Sequence, residues 1–372
     1  MRKGIVIAGG GTGGHVFVAD AVAKALVDGG VERSDLTFIG SSRGQERTLL
    51  AESGIELVLL PGRGIRRSFS PSAIASNLRS LGGIAVAFVS TFVGLVRHRP
   101  AVVVSVGGYA AAPVDIAAVA LRIPLVLVNV DAVPGMAHRV VGRFAAAACV
   151  AFDGTPLPRA TTTGAPVREA FTEIEDDASA RRTARAALDV EVERPLVAVL
   201  TGSLGARSVN EAVLALASRW RQRSVTLYHV TGRRDFDDLS ARNPIGPGDS
   251  LDYRQVPFEG EVPLLYQAAD VAITRSGALT VAELAAAALP SVLVPLPGAP
   301  GDHQTLNARA LVAPGGGVLL PDSELSAERL DEIIDSMLAD QPALDEMRRS
   351  ARSISHPDAA REVAEVVREH AR

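Results

Sequence analysis

Short apolar runs recur along the chain, and longer stretches with helical spacing separate them. The runs fall at 4–8, 36–39, 56–60, 101–105, 125–129 and 147–151, then at 196–200, 225–230, 252–256, 271–274, 291–295 and 317–320. Helices are expected at about 16–28, about 44–53, from about 111, and at about 177–188. Strands and helices alternating almost to the end predict an α/β protein built on parallel sheets. Thr161-Thr162-Thr163-Gly164-Ala165-Pro166 reads as a crossing between domains. Each half opens with a strand, a glycine-rich turn and a helix, so two doubly wound domains facing one another across a cleft are expected. The boundaries are set at 1–164, 165–356 and a final helical segment at 357–372.

One apolar stretch, Leu81 to Val96, stands apart from this alternation and runs into Arg97-His98-Arg99-Pro100. Its sixteen residues fall short of the roughly 20 that span a bilayer. A buried helix accounts for it, and so does an apolar face lying in a membrane interface, with Arg63, Arg66, Arg67 and Arg79 just upstream. The rest of the composition is that of a globular protein: 372 residues, 47% hydrophobic and 22% charged. Cys149 is the only cysteine, which excludes an internal disulfide and a cysteine-built metal site. With no secretory segment at the start, a reducing, cytosolic setting is expected. The net charge of −4 is uneven, because residues 1–164 carry 16 Lys and Arg against 10 Asp and Glu. A basic first half points to an anionic partner such as a phosphorylated substrate or a lipid surface; no nucleic-acid partner is expected.

The first strand leads into Gly9-Gly10-Gly11-Thr12-Gly13-Gly14-His15. Such a turn lets backbone N–H groups crowd around an anion at a helix start, with a titratable imidazole beside them. Gly9, Gly11 and Gly14 also fit the spacing of a dinucleotide-binding turn, yet the second strand ends in Gly40-Ser41-Ser42, without the carboxylate that would hold the ribose. A tight turn without any ligand is the plain alternative. In the second half, Arg275-Ser276-Gly277-Ala278-Leu279-Thr280-Val281-Ala282-Glu283 follows a strand. Ser276, Gly277 and Ala278 would put N–H groups at a helix start, suited to a diphosphate. Glu283, about two turns in, could accept two hydrogen bonds from a ribose diol. His303, Gln304 and Asn307 supply polar groups able to read sugar hydroxyls.

The stretches Gly9–Phe17, Gly107–Tyr109, Ala132–Gly135, Gly164–Arg168, Gly202–Arg207, Arg275–Glu283 and Asp302–Ala308 occur in the order and spacing of the MurG family. The whole chain resembles these N-acetylglucosaminyltransferases, which convert lipid I to lipid II in peptidoglycan synthesis. The resemblance implies a GT-B fold, two Rossmann-like domains with the acceptor on the first and UDP-GlcNAc mostly on the second, and a last helix returning to the first domain. It implies Glu283 on the uridine ribose and Phe258 beside the uracil. Ser203 and Gly205, with Leu279 and Thr280, would join Ser276–Ala278 at the diphosphate. Arg168 would reach the donor from the hinge, and Gln304 and Asn307 would meet the GlcNAc hydroxyls. Thr12, Gly13, Gly14, Tyr109 and Asn129 would receive the acceptor, with His15 as the base.

It also implies an undecaprenyl-diphosphate-linked acceptor, an anionic membrane surface, cell-wall synthesis proteins as partners, and a peripheral place on the cytoplasmic face of the membrane. UDP-GlcNAc is a substrate, and no cofactor or metal is expected, since no Asp-x-Asp run suits a divalent ion. Several positions depart from the family pattern. Asn129-Val130-Asp131 stand where Glu-Gln-Asn is common, Leu204 replaces Gln, Ala165 replaces Asn, and Val18 replaces Pro. Asp131 is then a second catalytic candidate, either orienting His15 or acting as the base. A transferase for another lipid-phosphate or natural-product acceptor, a UDP-sugar epimerase and a non-catalytic donor-binding subunit stay open as alternatives.

Overall fold

The computed structural model describes residues 4–10, 13–42, 46–50, 53–61, 86–175, 177–202 and 205–371, without the side chains of residues 48 and 49. Thr12, Ser203, Leu204, Arg63, Arg66, Arg67, Arg79 and the 81–85 start of the apolar run lie outside the described residues. The chain divides into unit 1, Met1–Arg168 with His356–Arg372, and unit 2, Glu169–Ser355. Ala165–Arg168 and His356 therefore belong with the first unit rather than the second.

Unit 1 holds strands β1 (Ile5–Gly9), β2 (Leu36–Ser41), β3 (Glu56–Leu60), β4 (Val102–Gly107), β5 (Leu125–Asn129), β6 (Ala147–Val150) and β7 (Ala160–Thr162). They form a parallel sheet in the order β3-β2-β1-β4-β5-β6-β7. Helices α1 (Gly13–Asp28), α2 (Glu46–Leu49), α3 (residues 86–98), α4 (Ala111–Ala120) and α5 (Met136–Val141) connect them. β1 and β4 are buried at every position, because a parallel sheet covered on both faces has no solvent side for polar residues to occupy. Val103, Leu125 and Leu127 of the sheet pack with Ala111, Val114, Ala117 and Ala118 of α4, whose small side chains let the helix sit close. The C-terminal helix, Ala359–His370, contacts α1, β4, β5 and β6 and buries Val363, Ala364 and Val367.

Two details differ from the sequence reading. α1 begins at Gly13 rather than near Val16, so the last two glycines and His15 form its first turn. First-turn N–H groups have no partner within the helix itself. The Thr161–Thr163 crossing contributes to β7, an exposed edge strand whose polar composition carries no apolar signature.

Unit 2 runs α6 (Glu169–Thr172), α7 (Ala178–Ala187), β8 (Leu196–Leu200), α8 (Arg207–Arg219), β9 (Thr226–Val230), α9 (Phe236–Ala241) and β10 (Asp252–Val256). It continues through α10 (Val262–Ala268), β11 (Val271–Thr274), α11 (Ala278–Ala286), β12 (Ser291–Leu293), α12 (His303–Val312), β13 (Gly317–Leu319), α13 (Ala327–Ala339) and α14 (Gln341–Ser353). Its parallel sheet has the order β10-β9-β8-β11-β12-β13, the same winding as unit 1. Trp220 at the end of α8 is fully buried among Val213, Leu216 and Leu330, and its Nε1 donates to Asp331 Oδ1 at 2.7 Å. In both sheets the order reverses beside the first strand, between β1 and β4 and between β8 and β11. Ligands of doubly wound folds bind at the carboxyl ends of such strand pairs.

Candidate functional site

In unit 1 the turns after β1 and β4 meet back to back. Gly9 pairs with Gly107 after a register shift, and a Cβ on Gly108 (φ +84°) would stand 2.2 Å from the Gly10 carbonyl oxygen. No side chain fits there. Beneath Gly10 lies the fully buried Glu46, whose Oε1 accepts the Ser41 N–H at 3.0 Å, and Ser41 Oγ in turn bonds the Tyr109 hydroxyl. His15 projects from the first turn of α1, and its Nε2 and the Cε1 of His138 on α5 both come within 3.4 Å of the space a Gly107 side chain would take.

These groups surround a cavity of about 640 Å³ whose polar lining includes His15, Tyr109, Asn129, Asp131 and His138. The remainder is largely apolar, with Ile116, Met136 and Val140 among it. Burial holds the His15 pKa below the ordinary imidazole value of 6.5, while the charges of Asp131 and Glu46 pull it upward. The ring is therefore neutral near pH 7 and able to take a proton, with two carboxylates placed to stabilise the cation that forms.

Behind the cavity wall runs a buried polar chain. Ser105 Oγ on β4 lies 2.9 Å from Asp115 Oδ2 on α4 and 3.2 Å from His138 Nε2. His138 Nδ1 lies 3.2 Å from Asn129 Oδ1, and Asn129 Nδ2 donates to the Asp131 carbonyl at 2.7 Å. Burial raises Asp115 to about 7, and burial together with neighbouring His15 lowers His138 to about 4.

Of the acceptor-side candidates, His15, Tyr109, Asn129 and Asp131 share the cavity, and Gly13 and Gly14 open α1; Thr12 lies outside the described residues. Sequence reasoning missed Glu46, Ser105, Asp115 and His138. His138 was the most findable, a histidine three residues past Gly135 in a segment already singled out. Ser105 and Asp115 sit within apolar runs and carry no spacing signal.

In unit 2 the turn after β8 and the start of α11 flank the strand reversal. Ser276 is fully buried, its Oγ without a hydrogen-bond partner among the described residues, and its carbonyl accepts the Asn307 side-chain amide at 3.2 Å. Gly277 caps α11 without a side-chain bond, which leaves the Ala278, Leu279 and Thr280 N–H groups as the positive end of the helix. Glu283 is partly exposed on the second turn of the same helix.

Gly205 (φ +78°) closes the other turn, where a Cβ would lie 2.6 Å from the Thr231 carbonyl oxygen. Asn210 braces that turn by donating to Thr231 O and Asp235 Oδ2, both at 2.9 Å, and buried His229 contacts Asn210 Oδ1 at 3.0 Å. Gln304 accepts the Leu296 N–H at 2.9 Å, which leaves its amide NH₂ as the group it can offer a sugar. Phe258 is exposed, with the Arg233 guanidinium 5.0 Å over its ring. Arg168, assigned to the donor by resemblance, ends unit 1 with its guanidinium 4.8 Å over Phe17. Ser203 lies outside the described residues.

Comparison with known proteins covers both units. Residues 5–150 match the glycosyltransferase family 28 N-terminal domain, and residues 196–363 match the glycosyltransferase family 28 C-terminal domain. The UDP-N-acetylglucosamine–N-acetylmuramyl-(pentapeptide) pyrophosphoryl-undecaprenol N-acetylglucosamine transferase of Alkalilimnicola ehrlichii is 40% identical over 382 residues, with 100% of each chain covered. The protein of the same name from Frankia casuarinae is 37% identical over 373 residues, covering 100% of this chain and 96% of that one. Among solved structures, Acinetobacter baumannii MurG superposes with a TM-score of 0.75 at 28% identity, covering 99% of this chain and 100% of that one. UDP-GlcNAc 2-epimerase from Neisseria meningitidis, bound to UDP-GlcNAc, superposes at 0.68 with 11% identity over 99% of this chain and 100% of that one, a likeness of fold alone.

Proposed function

We propose a function from one premise: the chain belongs to glycosyltransferase family 28 and, within it, to the MurG transferases. It transfers N-acetylglucosamine from UDP-GlcNAc to the C4 hydroxyl of the N-acetylmuramoyl sugar on an undecaprenyl-diphosphate carrier, converting lipid I to lipid II. The observation that carries this reading is the open start of α11, with Ser276 and Gly277 before it and Glu283 on its second turn, in a chain matched to named transferases from end to end.

Inverting transfer is one displacement. The acceptor oxygen forms a bond to the anomeric carbon, the bond from that carbon to the diphosphate breaks, and the hydroxyl proton passes to a base. His15 takes the proton, being neutral at working pH and close to Asp131, whose charge stabilises the imidazolium. The leaving diphosphate gains charge as the bond breaks, and the N–H groups of Ala278–Thr280 are suited to meet it without a metal, while the Gly205 N–H is given to the Gly202 carbonyl at 3.0 Å within its turn. Arg168 is assigned to the same charge by resemblance. Glu283 accepts the ribose hydroxyls, Phe258 borders the uracil, and Gln304 and Asn307 meet the sugar. Tyr109, Gly13 and Gly14 hold the acceptor beside His15, with Asn129 in the wall.

The enzyme works as a peripheral protein on the cytoplasmic face of the membrane. No helix among the described residues is long and apolar enough to cross one. One face of α3 presents Val86, Val89, Val93 and Val96 to solvent, each 54–60% exposed, while Ala87 and Leu95 are buried in the core. Met136, Val140 and Phe144 are exposed on and just after α5 beside Arg139 and Arg143, a pairing of apolar and cationic side chains suited to anionic lipid.

Incubation with UDP-GlcNAc and a lipid I analogue tests the reading. Disaccharide-lipid and UDP in equal amounts are expected. Epimerised sugar nucleotide without acceptor, or transfer to a different lipid phosphate with lipid I inert, would replace it.

A further inference from the structure

The buried chain behind the unit 1 cavity has more to say than its distances, because its protons can be counted. The Asn129 amide nitrogen faces the Asp131 carbonyl at 2.7 Å; the reverse orientation would set two oxygens against each other. Asn129 Oδ1 therefore faces His138 Nδ1, and since that oxygen only accepts, Nδ1 carries a hydrogen. A neutral His138 then offers Nε2 as an acceptor. The Ser105 hydroxyl has one hydrogen for two partners, Asp115 Oδ2 at 2.9 Å and Nε2 at 3.2 Å; given to the bare Nε2, nothing is left to give Asp115. The Ser105–Asp115 contact closes only when Asp115 brings the hydrogen.

The other way of filling the chain, an imidazolium and a carboxylate on either side of Ser105, places a cation in the core beside His15, which burial disfavours. The directions in which the two groups are shifted agree, the acid raised and the imidazole lowered.

We propose that Asp115 is kept as a carboxylic acid whose proton completes a one-way chain from Asp115 through Ser105, His138 and Asn129 to the Asp131 carbonyl, and that this chain positions residues 129–131 at the acceptor cavity. Asp115 and His138 are thus positioning residues for the acceptor side. The inference rests on the reading of unit 1 as the acceptor site. When Asp115 ionises, the Ser105 hydroxyl turns to the carboxylate and His138 Nε2 must find its own hydrogen. Nδ1 then confronts Asn129 Oδ1 bare, and the hold on residues 129–131 is lost. The titratable groups facing this chain are His15 from α1 and, beyond it, Asp131 and Glu46, with Tyr109 on the neighbouring turn. All of them act on the His15 side of the cavity, while Asp115 answers to burial and to Ser105.

Two variants separate the parts of this device. D115N places a permanent N–H donor against Ser105, and S105A cuts the chain with Asp115 intact. Between about pH 6 and about pH 8 the wild-type KM for a lipid I analogue is expected to rise about fivefold, the worth of one buried hydrogen bond, while the KM for UDP-GlcNAc stays level. D115N is expected to keep the low acceptor KM across that range, and S105A to show the high one throughout. Infrared difference spectra over the same range are expected to show a buried carboxylic acid that D115N removes, and nitrogen NMR to place the His138 hydrogen on Nδ1 at the lower pH. A carboxylate at position 115 already at about pH 6, a hydrogen on Nε2, or D115N behaving as S105A does would each overturn the proposal. Absence of transfer to lipid I would instead remove the acceptor reading, and the two spectra would still decide the chain.

Discussion

At the scale of single residues, His15 and Glu283 divide the chemistry between transfer and grip. His15→Ala is expected to lower kcat about a hundred- to ten-thousandfold, the range for loss of a positioned base, while UDP-GlcNAc binding by calorimetry stays unchanged. The acid limb of the kcat profile is expected below pH 6.5, because burial holds the imidazole neutral beyond the point at which a free one would charge. Glu283→Ala divides the other way. It is expected to raise the KM for UDP-GlcNAc about tenfold to a hundredfold, as loss of hydrogen bonds to a charged acceptor does, with kcat little changed. Unaltered donor KM in that variant would take Glu283 out of the nucleotide site.

Elements carry a different set of consequences. Gly108→Ala forces a side chain into the 2.2 Å gap beneath the Gly10 carbonyl at a positive φ, and it is expected to cost about 1–3 kcal/mol of stability in denaturant titration while loosening acceptor binding. Aspartates in place of Val89 and Val93 on the exposed face of α3 are expected to abolish sedimentation with anionic liposomes and to leave thermal stability nearly unchanged, since neither side chain is in the core. The arginine-rich segment upstream of α3 lies outside the described residues, so this test is placed on the helix itself.

It is also at this scale that the reach of the sequence is clearest. β1, β4, β5 and β8 were legible as apolar runs because both sheet faces are covered, and the Ser276–Glu283 element was legible because glycine before a helix and a carboxylate on its second turn are local features. β7 was not, since an exposed edge strand of Ala and Thr need not be apolar. Glu46, Ser105 and Asp115 were hidden for the opposite reason. Each reaches its partner across the sheet or through a turn, 5 to 33 residues away, and nothing in their immediate neighbours signals it.

For the molecule as a whole, the buried histidines set its response to acid. His229 in unit 2 is lowered to about 3 and His138 in unit 1 to about 4, both by burial. In the unfolded chain each takes a proton as pH falls through 6.5, so between that value and the folded one the unfolded state binds more protons. The stability they contribute is complete above pH 6.5 and is lost progressively toward pH 4; Asp115, raised to about 7, takes up its proton in the folded state over the same range and offsets the loss from about one of the two histidines. The thermal midpoint is expected to drop between about pH 7 and about pH 5, and His229→Gln to flatten part of that drop. Turnover is expected to persist in excess EDTA, since charge on the departing diphosphate is assigned to helix amides and an arginine; collapse of activity restored by magnesium would reverse that assignment.

The chain leaves unit 1 after Arg168 and comes back to it at His356, with Val363, Ala364 and Val367 buried against the older part. During synthesis, residues 169–355 emerge as one uninterrupted stretch that can close its own sheet. The half begun first must meanwhile wait, its groove bare, for the helix at Ala359–His370 to be made. Synthesis of residues 359–370, rather than completion of the acceptor pocket's own strands, is then the event that seals the N-terminal lobe.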